Sequence, residues 1–204
     1  KAGKAIDIKV KHQADKTLWT DKGIDSEAFF IRTPLTRLYD ITADGKLTLR
    51  AASATIGDRR QPSAIGRWVT DTQFKPESDI DMAGLLLYQN DYCYMAFGLS
   101  CDDEGNPCLR LKARSKNSCP DTCLKLKADE TGKAIRLSVE GLPTGSYKFS
   151  YSTDSGATWT QVGETLPAAM LSTQTAGGFT GTMVGIYATT DYIINSEQLK
   201  RQTL

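Results

Sequence analysis

Asp71, Glu77, Asp79 and Asp81 stand close together in the chain, and carboxyl groups so placed admit two kinds of chemistry. Two acids flanking a glycosidic bond can hydrolyse it, one protonated to assist the leaving group and one ionised to activate water or attack carbon. That work needs burial to hold one of them protonated at neutral pH. A stretch broken by Lys75 and Pro76 and crowded with acids reads instead as a solvated loop, so no residue is assigned a catalytic role. The same oxygens could ligate calcium, although their spacing lacks the regular loop of an EF-hand. No cofactor is expected beyond such a structural calcium.

Nucleophilic catalysis finds less support. His12 is the one histidine and sits in a polar terminal segment, which leaves a Ser/His/Asp triad or a Cys nucleophile without a positioned base. Neither a Gly-x-x-x-x-Gly-Lys-Ser/Thr loop nor a Gly-x-Gly-x-x-Gly turn is present, which excludes the usual phosphate cradles. Cys93, Cys101, Cys108, Cys119 and Cys123 are confined to one region. Cys101, Cys108, Cys119 and Cys123 could be drawn around zinc, but no close pair has the two-residue gap of a zinc ribbon. Disulfides pinning a hairpin loop are expected in an oxidising compartment and simple buried thiols in a reducing one.

The bulk numbers bound what these residues sit in. A chain of 204 residues, 40% hydrophobic and 24% charged, matches one large domain with a core and a soluble surface. Lys and Arg total 25 against 24 Asp and Glu, without the basic surplus of a nucleic-acid binder. No run approaches the roughly 20 apolar residues that span a bilayer, so neither nucleic acid nor membrane is expected as a partner. A start at Lys1 rather than Met points to a mature product or a piece of something longer, and a periplasmic or secreted location is favoured.

Strand signals dominate the elements that must position any site. Asp44-Gly45-Lys46 turns into Leu47-Thr48-Leu49, whose leucines share a face. Ile65–Phe74 reads as a strand, as does Met82–Gln89. Asn90-Asp91 forms a tight turn, after which Tyr92, Tyr94 and Ala96 face one way and Cys93, Met95 and Phe97 the other. Further strands follow at Leu109–Ala113, at Ile135–Val139, at Tyr147–Tyr151 with three aromatics on one side, and at Met183–Ala188. Gly141–Gly145 breaks the chain between two of these, and a helical turn falls near Pro167–Leu171. Many short strands without a fixed repeat indicate an all-β sandwich of two antiparallel sheets with jelly-roll topology, rather than a propeller. Residues 1–28 form an extension or first strand, 29–195 the sandwich and 196–204 a polar tail.

Ser152-Thr153-Asp154-Ser155-Gly156-Ala157-Thr158-Trp159 is similar to the Asp-box of sialidase propellers, but it occurs once. Turn chemistry accounts for each of its residues, with Asp accepting backbone N–H groups, Gly at positive φ and Trp covering the turn. Two more segments accompany it. One comprises Asp58-Arg59-Arg60-Gln61, Met82-Ala83-Gly84-Leu85-Leu86-Leu87-Tyr88-Gln89-Asn90, Tyr92 and Tyr94. The other is Thr175-Ala176-Gly177-Gly178-Phe179-Thr180-Gly181-Thr182 leading into Val184-Gly185-Ile186-Tyr187-Ala188-Thr189. In this order the set resembles the C-terminal concanavalin A-like β-sandwich of glycoside hydrolase family 43, the β-xylosidases and α-L-arabinofuranosidases, over Phe29–Thr190. The final strand of that family is acidic and aromatic, which Asp191-Tyr192-Ile193-Ile194 matches loosely, and the Cys101–Cys123 insertion departs from its pattern.

The resemblance implies an accessory domain whose catalytic propeller lies outside this chain and is its expected partner. If the sandwich also binds a xylan- or arabinan-derived saccharide, Trp68, Tyr88, Tyr92 and Tyr94 are the rings that would stack on sugar, and Arg59, Arg60 and Gln61 the groups that would reach hydroxyls. The arginines fit equally an ion pair with Asp58 or a contact to a neighbouring domain.

Overall fold

The computed structural model describes residues 19–20, 23–24, 28, 30–32, 37–57, 63–65, 81–178 and 181–190. Fourteen strands occur among them. Five short ones come first: β1 (Trp19–Thr20), β2 (Gly23–Ile24), β3 (Tyr39–Ile41), β4 (Leu47–Leu49) and β5 (Ser63–Ile65). The long meander is β6 (Met82–Asn90), β7 (Cys93–Cys101), β8 (Pro107–Arg114) and β9 (Asp121–Lys125). Then come β10 (Arg136–Leu142), β11 (Ser146–Ser152), β12 (Thr160–Gln161) and β13 (Leu166–Pro167). A 3-10 turn (Ala168–Leu171) and the short helix α1 (Thr173–Ala176) precede the last strand, β14 (Met183–Thr189). No helix among the described residues is long and apolar enough to cross a membrane.

Two antiparallel sheets carry the architecture. One has the order β5-β14-β6-β7-β8-β9, and the other β10-β11-β12 with β13 also paired to β11. Alternation along the strands explains why they stack. Leu85, Leu87, Cys93, Met95, Phe97, Leu99, Leu109, Leu111 and Ala113 form the inner face of the larger sheet, and bury against Ile135, Leu137, Val139, Phe149, Tyr151, Val162 and Leu171. Phe97 meets Phe149 edge to face across the two sheets, with ring centroids 5.5 Å apart. The aromatic stripe read at Tyr147, Phe149 and Tyr151 lies against this core.

Glycine sets the spacing at the centre of the larger sheet. Gly84 and Gly98 are directly opposed across β6 and β7. A Cβ on Gly84 would overlap the backbone of Phe97 and Gly98, and one on Gly98 the backbone of Ala83. The opposed glycines thus let the two strands approach more closely than side chains would permit.

The outer face of the larger sheet is apolar as well. Met82, Leu86, Ala96 and Tyr187 cluster there with Ile31 and Ile56, which come from the segments before β5, while Tyr88 and Tyr94 pack against the edge of the cluster. Two details differ from the sequence reading. The hairpin turn occupies Asp91 and Tyr92 rather than Asn90 and Asp91, so Tyr92 leaves the alternation. Strand β10 runs through Gly141 to Leu142 and turns only at 143–145, because a glycine that pairs with Tyr147 satisfies the ladder even without a side chain.

Candidate binding surface

The end of the β6–β7 hairpin gathers three of the residues singled out in the sequence. Tyr88 and Tyr94 are direct cross-strand partners, and the register continues the row to Met183 on β14 and Arg114 on β8. Four strands thus present one thioether, two phenols and one guanidinium in line across the outer face. Tyr92, in the turn above them, is 61% exposed, and the Arg114 guanidinium stands 5.5 Å from its ring centroid. The cation covers one side of that ring and leaves the remainder to solvent or to a partner.

A polar knot fixes the hairpin end. The Tyr88 hydroxyl donates to Asp91 Oδ1 at 2.8 Å, and Arg32 Nη2 donates to the same oxygen at 2.6 Å. Arg32 holds this position at φ 67°, a left-handed conformation that side chains disfavour, so the ion pair and the local fold together maintain a strained residue. Asn90 Oδ1 accepts from the Tyr92 amide at 2.9 Å and Asn90 Nδ2 donates to the Ala176 carbonyl at 3.0 Å, which ties the turn to α1. Burial, and then the Asp91 carboxylate beside it, push the Tyr88 phenol up to about 12. Burial raises the Tyr94 phenol too, against the opposing pull of Arg114. Both tyrosines therefore stay neutral hydrogen-bond donors throughout the physiological range.

Tyr88, Tyr92 and Tyr94 are thus brought together, with Tyr92 the exposed member. Arg59, Arg60, Gln61 and Trp68 lie outside the described residues, as do His12, Asp71, Glu77 and Asp79 and the rest of the strand expected over Ile65–Phe74 beyond Ile65. The sequence reading missed Arg32, Asp91 and Arg114. Arg114 was within reach of it, since alternation from Leu109 through Ala113 puts Lys112 and Arg114 on the face opposite the core. Asp91 looked like an ordinary turn residue, and no local pattern marks Arg32.

Acid chemistry elsewhere is of a different kind. Asp81 is the one buried acid among the described residues, and its carbonyl accepts from the Ser100 hydroxyl at 2.7 Å. In the Asp-box turn the Asp154 carboxylate accepts the Thr158 amide at 2.9 Å along with the Thr158 and Ser152 hydroxyls, which hold its carboxyl well below the usual range. Gly156 sits at φ 91° with Trp159 over it, as turn chemistry requires. The Asn106 amide and Lys125 similarly hold Asp102 low. Among the described residues no group of three or more His, Cys, Asp or Glu side chains is arranged to hold a metal ion.

Comparison with known proteins identifies the fold. The profile of the β-xylosidase C-terminal concanavalin A-like domain matches residues 20–197. Among solved structures, a GH43_12 protein retrieved from a capybara gut metagenome superposes with a TM-score of 0.69 at 24% identity, over 83% of this chain and 33% of that one. The Bacteroides ovatus xyloglucan PUL protein GH43B gives 0.74 at 20% identity, over 91% of this chain and 38% of that one. The chain therefore spans little more than a third of those proteins. A functionally unknown protein from Saccharomyces cerevisiae gives 0.54 at 18% identity, over 81% of this chain and 88% of that one. At these identities the structural likeness establishes the fold, a concanavalin A-like sandwich. A search of curated proteins found no sequence match.

Proposed function

The chain belongs to the family of β-xylosidase C-terminal concanavalin A-like domains, and on that premise we propose that it is a non-catalytic accessory sandwich. In this reading it packs on, and borders, the catalytic propeller of a glycoside hydrolase family 43 enzyme of the β-xylosidase or α-L-arabinofuranosidase type. The observation that carries the reading is the family match over 20–197, in a fold that fills 33% and 38% of two GH43 chains and leaves the greater part of each to other domains. The charge chemistry supports it. A glycosidase acid needs a carboxyl raised toward neutrality, whereas among the described residues Asp44 and Asp102 are held low by hydrogen bonds and a lysine each, and Asp154 by hydrogen bonds alone. Tyr92 and Arg114 at the hairpin end are residue types enriched at protein interfaces.

The test is co-purification of the sandwich with a family 43 propeller supplied as a separate chain, coupled to turnover of aryl xylosides and arabinosides. A stable complex is expected, active only when the propeller is present. Turnover by the isolated sandwich would overturn the proposal. A second reading, a free-standing carbohydrate-binding module, is favoured by the exposed Tyr92, whose ring is available to stack on sugar. Isothermal titration against xylan, arabinan and their oligosaccharides separates the two, since flat heats across that panel remove the module.

A further inference from the structure

The cysteine-rich region is left unused by either reading, and the sheet register gives it a definite geometry. Strands β8 and β9 pair so that Cys123 stands opposite Arg110 and Cys108 opposite Lys125. The two cysteines are therefore diagonal neighbours on the outer face, close enough that Cys123 contributes to raising the Cys108 thiol. Cys108 is fully buried and Cys123 is exposed. The other thiols are placed differently. Cys93 belongs to the core between the sheets, Cys101 follows it by alternation onto the inner face, and Cys119 lies beyond the other end of β9, where it acts on Tyr94. We propose that Cys108 and Cys123 form a redox site that closes to a disulfide and fastens β9, the edge strand of the larger sheet, to β8.

A small-molecule disulfide such as oxidised glutathione supplies the oxidant. The Cys123 thiolate attacks one of its sulfurs, that S–S bond breaks, and the leaving glutathione thiolate carries away the electron pair. The Cys108 thiolate then attacks the Cys123 sulfur and displaces the second glutathione. Two protein thiols have lost two protons and two electrons, and one glutathione disulfide has become two thiols. Exposure of Cys123 suits it to the first attack and proximity suits Cys108 to the second. The Arg110 guanidinium, held by Asp121 at 2.9 and 3.0 Å, stands near both sulfurs, while burial and then the neighbouring Cys123 push the Cys108 thiol up, so Cys108 keeps its proton until it attacks the mixed disulfide. The closed bond would bridge the loop around Ser115 and Ser118 and remove freedom from the unfolded chain.

The experiment equilibrates the full chain with oxidised glutathione, alkylates remaining thiols and measures intact mass and thermal midpoint. C119S is expected to lose the mass of two hydrogens before alkylation and to gain several degrees in Tm, with a Cys108 peptide joined to a Cys123 peptide in its digest, and wild type to show the same bond beside a glutathione adduct on the exposed Cys119. C123S is expected to show neither change, and C108S to stop at a lasting glutathione adduct on Cys123. Should C108S fail to fold, the exposed-site variant C123S and the C119S digest still decide. An unchanged C119S mass, hydrogen loss that survives in C123S, or a bond joining Cys119 instead would each overturn the proposal.

Discussion

Replacing Asp91 tests whether the hairpin end is a built surface or an incidental cluster. Its carboxylate receives Arg32 at 2.6 Å and the Tyr88 hydroxyl at 2.8 Å, with the two charged side chains 25% and 33% exposed. Fully buried, each hydrogen bond to a charge would contribute roughly 1.5–3 kcal/mol, and fully solvated the ion pair would contribute at most about 1 kcal/mol. Partial exposure puts each bond near 1 kcal/mol, so Asp91→Ala is expected to destabilise by about 2 kcal/mol. Relaxation of Arg32 from its positive φ returns part of that. Asp91→Asn keeps an acceptor for the phenol and is expected to lose only about 1 kcal/mol. The pH dependence follows from the raised phenol. Tyr88 titrates near 10 in the unfolded chain and near 12 when folded, so its contribution is complete below pH 10 and disappears as pH rises toward 12. In Asp91→Ala burial still raises the phenol but the carboxylate no longer does, and that window contracts. Urea unfolding at neutral and alkaline pH, with NMR titration of ring-labelled tyrosine, reads both effects. If Asp91→Ala lies within about 0.5 kcal/mol of wild type and the Tyr88 titration does not move, the reasoning fails.

Three further outcomes are expected. Gly84→Ala places a methyl group against the Phe97 and Gly98 backbone and forces β6 from β7, so denaturant unfolding should show a loss of about 3 kcal/mol. Phe149→Ala empties the contact with Phe97 between the sheets and should cost about 4 kcal/mol in the same assay, with a lowered Tm. Asp102 and Asp154 have folded pKa values depressed below the unfolded value of 3.8, so their contribution is present above that pH and is lost as pH falls through the folded values. Asp154→Asn should therefore lower stability at neutral pH while flattening its decline below about pH 4, as followed by circular dichroism during acid titration.

Period-two patterning made most of the sandwich legible. Ile135, Leu137 and Val139 are all buried on one face, and Leu47 and Leu49 share a face with exposed Thr48 between them, because a half-buried strand leaves no other arrangement. The Asp-box turn was equally readable, since Ser152, Asp154, Gly156 and Thr158 satisfy one another locally. The candidate surface was legible only in part. Tyr88 and Tyr94 belong to neighbouring strands of one hairpin, so their pairing follows from a short turn. Arg32 reaches Asp91 from a segment 59 positions earlier, and Ile31 and Ile56 roof the outer face from loops without periodic pattern. Long-range contacts of that sort depend on how loops close over a finished sheet, and alternation within a strand carries no record of them.

The roof also narrows what the outer face can meet. A sugar-binding sheet face needs aromatic planes open over several residues, yet the centre of this one is filled by Met82, Leu86, Ala96 and Tyr187 under Ile31 and Ile56. At the hairpin end Tyr88 and Tyr94 are held at their edges and the exposed Tyr92 carries Arg114 across its ring. A pyranose stacking on Tyr92 from that side would have to displace the guanidinium, whereas a carboxylate or backbone carbonyl from a protein partner would extend the existing cation contact. On the side of Tyr92 that Arg114 covers, a protein partner is therefore the expected occupant under the accessory-domain proposal, and the other side of the ring is open to either. Arg114→Ala separates the two cases: it should weaken a protein complex, measured as a several-fold rise in Kd, and should strengthen or leave unchanged any oligosaccharide binding by uncovering the ring. A saccharide affinity that falls with Arg114 while propeller binding stays constant would reverse the assignment.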